Sequence, residues 1–237
     1  MFSKIKNVVL DILFPKFCVN CKKEGRYLCE NCTLFLSEAS FICPICGEAE
    51  FFGRRHKYCS KKKGLDGLVS LWDYEGVVKS LIYKTKYKSL ADIPKEIIDY
   101  GFLTIENNQK RFSEFIYLLF DERTVISYVP IHEKKESVRG FDQSEVIAEY
   151  LAKKTRKEKA SLLTRNVETR SQTKLDKKGR FLNVENAFSF ISYQRSVRQV
   201  ILVDDVWTSG ATMKECTKVL KENGVKIVWG LTLSKTP

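Results

Sequence analysis

Two rhythms of apolar positions run through the larger, C-terminal part of the chain. Val69–Tyr74 (VSLWDY) and Thr124–Val129 (TVISYV) read as strands, the second closed by Pro130 and followed by a loop. Val200–Val203 is an unbroken apolar run, as in a strand buried on both faces, and Val225–Leu233 reads as a last strand. Between them, Val77–Tyr87, Ala91–Leu103 and Ser144–Lys154 read as helices. In the last of these Val146, Ile147, Tyr150 and Leu151 fall on one face. Ala211–Asn223 reads as a helix that Gly224 stops. Strands alternating with helices predict an α/β domain on a parallel sheet.

The N-terminal quarter follows neither rhythm. Seven of the 8 cysteines lie before residue 60, and only Cys216 lies outside that region. We place a boundary at Lys61–Gly64, with a small module over 1–64 and the α/β domain over 65–237. The module carries the pairs Cys18–x2–Cys21, Cys29–x2–Cys32 and Cys43–x2–Cys46, and His56–x2–Cys59 repeats the spacing. Two ligands separated by two residues sit on one knuckle, and two knuckles complete a tetrahedral site, so four knuckles suffice for two structural zinc ions. Sequential pairing groups Cys18, Cys21, Cys29 and Cys32, then Cys43, Cys46, His56 and Cys59; an interleaved pairing satisfies the spacing equally. A disulfide framework is the competing reading. It is disfavoured because the apolar N-terminus is interrupted by Asp11 and lacks a small-residue cleavage site, which leads us to expect a cytoplasmic protein with reduced thiols. No apolar run approaches the ~18 residues of a membrane span.

Charge adds a second layer. The chain has 41 Lys+Arg against 29 Asp+Glu, a net +12. The module holds 12 basic and 6 acidic residues, and residues 132–180 hold 14 and 8, which accounts for the whole excess of the larger domain. In the module, Arg54, Arg55, Lys57 and Lys61–Lys63 are interleaved with Phe51, Phe52 and Tyr58, a pattern suited to single-stranded DNA. A solvated face is the plainer alternative, with zinc substituting for a core too small to fold alone.

The most informative stretch is Val200-Ile-Leu-Val-Asp-Asp-Val-Trp-Thr-Ser-Gly-Ala-Thr212. Asp204 and Asp205 follow the buried run ending at Val203, where open α/β sheets bind ligands. Thr208, Ser209, Gly210, Ala211 and Thr212 then open a helix. Small residues let backbone N–H groups close on a phosphate, the hydroxyls add donors, and the helix start adds positive potential. Paired acids beside a phosphate cradle suit a phosphorylated sugar, whose hydroxyls they can hold. The Gly-Lys-Ser/Thr ending of a Walker loop is absent.

This stretch resembles the phosphoribosyl diphosphate (PRPP) motif of type I phosphoribosyltransferases, with Trp207 bulkier than the usual residue. Other pieces match in order: Lys84-Thr-Lys-Tyr87, with Lys86 as the motif lysine; Val129-Pro130; Arg139-Gly-Phe-Asp-Gln-Ser144; Thr169-x2-Gln172-x2-Leu175; and Arg180-x2-Asn183-x2-Asn186-Ala-Phe188. With the cysteine module in front, the chain resembles the ComF competence-protein family from about Phe14 onward. Asp142 stands where that family usually has Asn, and His56 where it has Cys. The resemblance implies a double zinc ribbon followed by a type I phosphoribosyltransferase-like domain with PRPP and Mg²⁺ as ligands. It also implies a role in DNA uptake, with single-stranded DNA and other competence proteins as partners. It places the diphosphate on the loop after Val129, under a closing loop at about 165–180. Arg139, Arg170, Lys174 and Arg180 would contact the diphosphate, and Asp204 and Asp205 the ribose. Three functions remain open at this stage: a PRPP-dependent transferase, a non-catalytic PRPP- and DNA-binding protein, and a zinc adaptor for other proteins.

Overall fold

Residues 15–88, 92–167 and 184–236 are described by the computed structural model. Five strands form one parallel sheet: β1 (Gly67–Asp73), β2 (Thr124–Tyr128), β3 (Glu158–Lys159), β6 (Gln199–Trp207) and β7 (Ile227–Lys235). Their spatial order is β1-β7-β6-β2-β3. Two further strands, β4 (Leu163–Arg165) and β5 (Phe188–Phe190), make a separate antiparallel ribbon.

The unbroken apolar runs are explained by cover on both faces. Along β6, Ile201 and Val203 enter a core with α3 (Asp92–Asn107), α4 (Ser113–Phe120) and α6 (Gln143–Thr155). Val200 and Leu202 enter a second core with α7 (Ala211–Glu222) and the β4–β5 ribbon. Period-two alternation thus feeds both cores from one strand. On α3, Ile93, Ile97, Ile98 and Ile105 form the buried stripe that its spacing predicts. Among the described residues of the sheet domain, two helices escape the sequence reading. Ser113–Phe120 is short and apolar nearly all round, and α5 (Glu133–Arg139) buries no residue at all, so neither shows a periodic stripe.

The strand before the turn at 208–212 is longer than its apolar run. Pairing of β6 with β2 stops at Tyr128–Val203, but pairing with β7 continues to Trp207–Lys235. Asp204 and Asp205 therefore stand on a part of β6 that overhangs its neighbour rather than beyond the strand. The connection leaving β2 enters α6 on one face and that leaving β6 enters α7 on the other. Helices diverging from adjacent parallel strands open a crevice at the strands' carboxyl ends.

The cysteine-rich segment, with the one-turn helix α1 (Glu30–Thr33), covers the outer edge of β1. Leu68 N–H donates to Gly53 O at 2.7 Å, Ala39 N–H donates to Leu71 O at 3.1 Å, and bridges form at Glu38–Trp72 and Arg54–Gly67. Gly53 has φ 75°, and a Cβ there would stand 2.5 Å from Leu68 O, so this contact needs glycine. Cys18, Val19, Leu28, Cys29, Cys32 and Phe41 join the α3-side core. An exposed parallel-sheet edge is a hazard for association, and the module removes it. Among the described residues no helix is long and apolar enough to cross a membrane.

Candidate functional site

A cleft of about 410 Å³ lies over the β6 overhang. It brings together Lys86, Pro130, Arg139, Asp204, Asp205, Thr208, Gly210, Ala211 and Thr212 of the residues expected from sequence. Val203 does not line it. That residue is fully buried in the sheet, and its carbonyl accepts from Val129 N–H at 2.9 Å, which anchors the turn carrying Pro130. Ser209 acts within its own turn, Oγ accepting from Ala211 N–H at 3.4 Å. Thr169, Gln172 and Arg180 lie outside the described residues, as do Arg170 and Lys174.

Lys86, on α2 (Gly76–Lys88), brings its Nζ to Asp205 Oδ2 at 2.7 Å. Burial works against this ammonium, but the charge and hydrogen bond of Asp205, with Asp204 nearby, outweigh it and hold its pKa above the usual lysine value. Asp204 accepts from Ser144 Oγ–H at 3.1 Å and from Asp205 N–H at 2.8 Å. Burial, then the neighbouring Asp205 charge, push Asp204 up to about 7. One acid is thus paired with lysine, while burial beside that acid shifts the other toward its protonated form. Arg165 also lines the cleft, its guanidinium 5.2 Å from the Phe188 ring centroid, with burial drawing its pKa below the usual value. Tyr74, Tyr83 and Lys135 have no signature in the sequence, because they reach the cleft from three separate elements, while Arg165, at the start of the expected closing loop, ends β4. Gln143 and Ser144 sit inside the matched RGFDQS segment, but the sequence assigns them no role.

Asp142 serves the fold rather than the cleft surface. It caps α6, Oδ1 accepting from Ser144 and Glu145 N–H at 2.8 and 3.3 Å, while Oδ2 accepts from Ile131 N–H at 2.8 Å. The acid in place of the expected amide thereby ties the turn after β2 to the start of α6.

Gly210 is the N-cap of α7 with φ 72°. A Cβ there would lie 2.3 Å from the Trp207 ring, so the bulky Trp207 and the glycine are complementary. The space a side chain would invade belongs to tryptophan and not to a phosphate.

The four knuckles pair sequentially. Cys18, Cys21, Cys29 and Cys32 form one group and Cys43, Cys46, His56 and Cys59 the other, the ligand atoms of each lying within 4.8 Å of one another. No disulfide links any cysteine among the described residues. All-thiolate and thiolate–imidazole sets of four match zinc in donor type and number. His56 Nδ1 faces Cys46 Sγ at 3.4 Å, while Nε2 lies 3.2 Å from Ala49 O. Donation from Nε2–H to that carbonyl leaves the Nδ1 lone pair for a metal, the orienting contact that ligating histidines use. The Tyr58 hydroxyl, 2.8 Å from Nδ1 and 3.8 Å from Cys46 Sγ, can donate to either.

The basic run of the module divides. Arg54 pairs with Glu114 of α4, and Arg55 with Asp66 at 2.8 Å. These two guanidiniums fasten the module to the sheet domain. Lys57, Lys61, Lys62 and Lys63 are exposed, as are Phe51 (86%) and Tyr58 (71%).

No family model matches the chain. It is similar to competence protein F of Haemophilus influenzae, 26% identical over 227 residues, covering 90% of this chain and 95% of that protein. DNA utilization protein YhgH of Escherichia coli is 25% identical over 231 residues, covering 94% and 98%. Competence protein ComFC of Bacillus subtilis is 26% identical over 211 residues, covering 85% and 81%. The chain is a homologue of the ComF-type competence proteins. Its likeness to the first two of these relatives leaves out a tenth of the chain or less, so it includes both the cysteine module and the sheet domain.

Proposed function

We propose that the chain is a PRPP-binding protein of the phosphoribosyltransferase type that serves DNA uptake or DNA utilisation. The observation carrying this reading is the pair Asp204–Asp205 on the β6 overhang, facing the Gly210-capped turn across a cleft ringed by Lys86, Lys135, Arg139 and Arg165. A sugar carrying phosphates at two ends meets acids in the middle and donors or cations on either side. The small-residue turn 208–212 takes the monoester phosphate, the acids take ribose hydroxyls, and the β2-side loop with Arg139 takes the diphosphate. Mg²⁺ bound with the ligand would supply charge neutralisation at the leaving diphosphate; of the two carboxylates that would hold it, Asp205 already carries the Lys86 ammonium. The protein's residues orient the anomeric carbon and stabilise the departing anion electrostatically.

The names of the relatives supply the biological context, competence and DNA utilisation. Single-stranded DNA is the proposed macromolecular partner, held weakly through phosphates by the module's exposed lysines. The deciding experiment is a thermal-shift titration with PRPP and Mg²⁺, followed by a diphosphate-release assay over candidate acceptors. PRPP-dependent stabilisation is expected, and Asp205→Asn should remove it, since an amide can neither pair with Lys86 nor accept as strongly from hydroxyls. A parent chain whose melting temperature ignores PRPP overturns the reading. Diphosphate release distinguishes a transferase from a PRPP-binding protein without turnover.

A further inference from the structure

Gln143 opens α6 in the wall of the cleft and is 3% exposed. Its Oε1 accepts from Arg139 Nη1 at 3.2 Å. A guanidinium only donates, so this bond fixes the amide: Oε1 faces Arg139 and Nε2 faces away. Nε2 is buried without a hydrogen-bond partner among the described residues. Buried amide nitrogens in folded proteins are almost always paired, and an exception calls for an explanation. Ser127 and Ser234 also carry an orphaned side-chain oxygen, but they lie within β2 and β7 and do not line the cleft. The start of α6 is not itself the attraction, because Asp142 already satisfies the N–H groups of Ser144 and Glu145. What remains is an unpartnered donor on a residue of the cleft wall, its amide oriented by a cation, in a cleft that also carries Lys135.

We propose that Gln143 is a ligand-binding donor whose Nε2 hydrogens hold an oxyanion on the β2 side of the cleft, with Arg139 fixing the amide. This rests on the PRPP reading and deepens it. The turn 208–212 serves one phosphate, and Gln143 with Arg139 serves the diphosphate across the cleft. Nε2 is covered in the ligand-free chain, so a ligand reaches it when the cleft wall yields locally, and the bond from Arg139 then keeps the amide in its donating orientation.

The test is calorimetric titration of the full chain, in Mg²⁺, with PRPP, inorganic diphosphate and ribose 5-phosphate. Gln143→Glu keeps the contact to Arg139 and replaces the donor with an acceptor. Gln143→Met keeps the volume and removes both functions, and it covers the case in which the added charge disturbs Asp204. Both variants should melt like the parent without ligand, bind PRPP and diphosphate at least about tenfold more weakly, and bind ribose 5-phosphate unchanged. Equal diphosphate affinity in parent and variants overturns the inference and leaves Gln143 as a brace for Arg139. Equal weakening for all three probes also overturns it, because it reports a distorted cleft. A parent that binds none of the probes overturns the PRPP reading and this inference with it; a binding parent with unaffected variants overturns this inference alone.

Discussion

Both carboxylate oxygens of Asp142 are committed inside the fold, and the residue is 4% exposed. Burial raises its pKa from the usual 3.8 to about 6, against the pull of the N–H groups of Ile131, Glu145 and Ser144. Between those values the native state binds the extra proton. Its contribution to stability is therefore full below about pH 4, falls as pH rises through about 6 and is level above. Asp142→Asn should remove that slope. Its NH₂ must face one of the donors Asp142 now accepts from, so the variant should lose about 1 kcal/mol at neutral pH. Denaturant titrations of both proteins from about pH 4 to about pH 7 check this, and parallel stability curves would refute it. At His56 the test is metal content. His56→Cys should retain two zinc ions per chain, because thiolate completes a set of four sulfur ligands, and His56→Ala should lose the ion of the second group only. An unchanged zinc content in the alanine variant would remove His56 from the ligand set.

At the scale of elements, the turn between β6 and α7 is set by the fit of Gly210 to Trp207. Gly210→Ala should destabilise the ligand-free chain by about 1–2 kcal/mol, through the positive φ and the collision with the indole. The double variant with Trp207→Phe should recover the steric part and keep the backbone part. Thermal melts decide, and a Gly210→Ala chain as stable as the parent would contradict the structure of this turn. The module's lysine face makes a different demand. Neutralising Lys57, Lys61, Lys62 and Lys63 should lower the slope of log affinity against log salt for single-stranded DNA by up to about 3 units, at about 0.7 per phosphate contact. Arg54 and Arg55 are left intact because they pair with Glu114 and Asp66, and changing them would loosen the module as well. An unchanged slope would exclude this face as the DNA site.

On the scale of the molecule, the cysteine module is built into the sheet domain. Glu96 of α3 accepts from Tyr27 and Leu28 N–H at 3.2 and 2.8 Å, and Tyr100 O–H donates to Leu28 O at 2.8 Å. Arg111 bonds Glu38 at 2.7 Å and stacks 4.3 Å from the Phe41 centroid, while Phe41 packs edge-on against Phe112 at 5.0 Å. Since Cys18, Cys29 and Cys32 share a core with α3, loss of a metal held by them would uncover apolar surface of the sheet domain and the edge of β1. Chelation should therefore lower the unfolding temperature of the whole chain in a single transition and promote self-association. Calorimetry with and without chelator reads this; two separate transitions, the upper one unmoved by chelation, would show that the two parts are stabilised independently.

What the sequence determined by itself is what neighbouring residues encode. Unbroken apolar runs gave buried parallel strands, the period of Ile93, Ile97 and Ile98 gave a helix face, and x2 spacing gave metal knuckles. The order acid–acid–small turn gave residues that line one cleft at a strand end. Each depends on backbone geometry within a few residues. Short or one-sided elements such as α4 and α5 left no such trace. Tertiary structure alone decided which knuckles pair, because spacing is indifferent to sequential or interleaved order. It alone set Lys86 on Asp205, gave Arg54 and Arg55 to Glu114 and Asp66, and turned Asp142 into a cap for α6 and an acceptor for Ile131. It alone left the Gln143 amide nitrogen in the cleft wall without a partner. Those pairings join residues on separate elements, and their partners are chosen by sheet order and by which face each helix covers. The chemistry of a polar group is written in its residue type, but its partner is fixed only when the chain has closed.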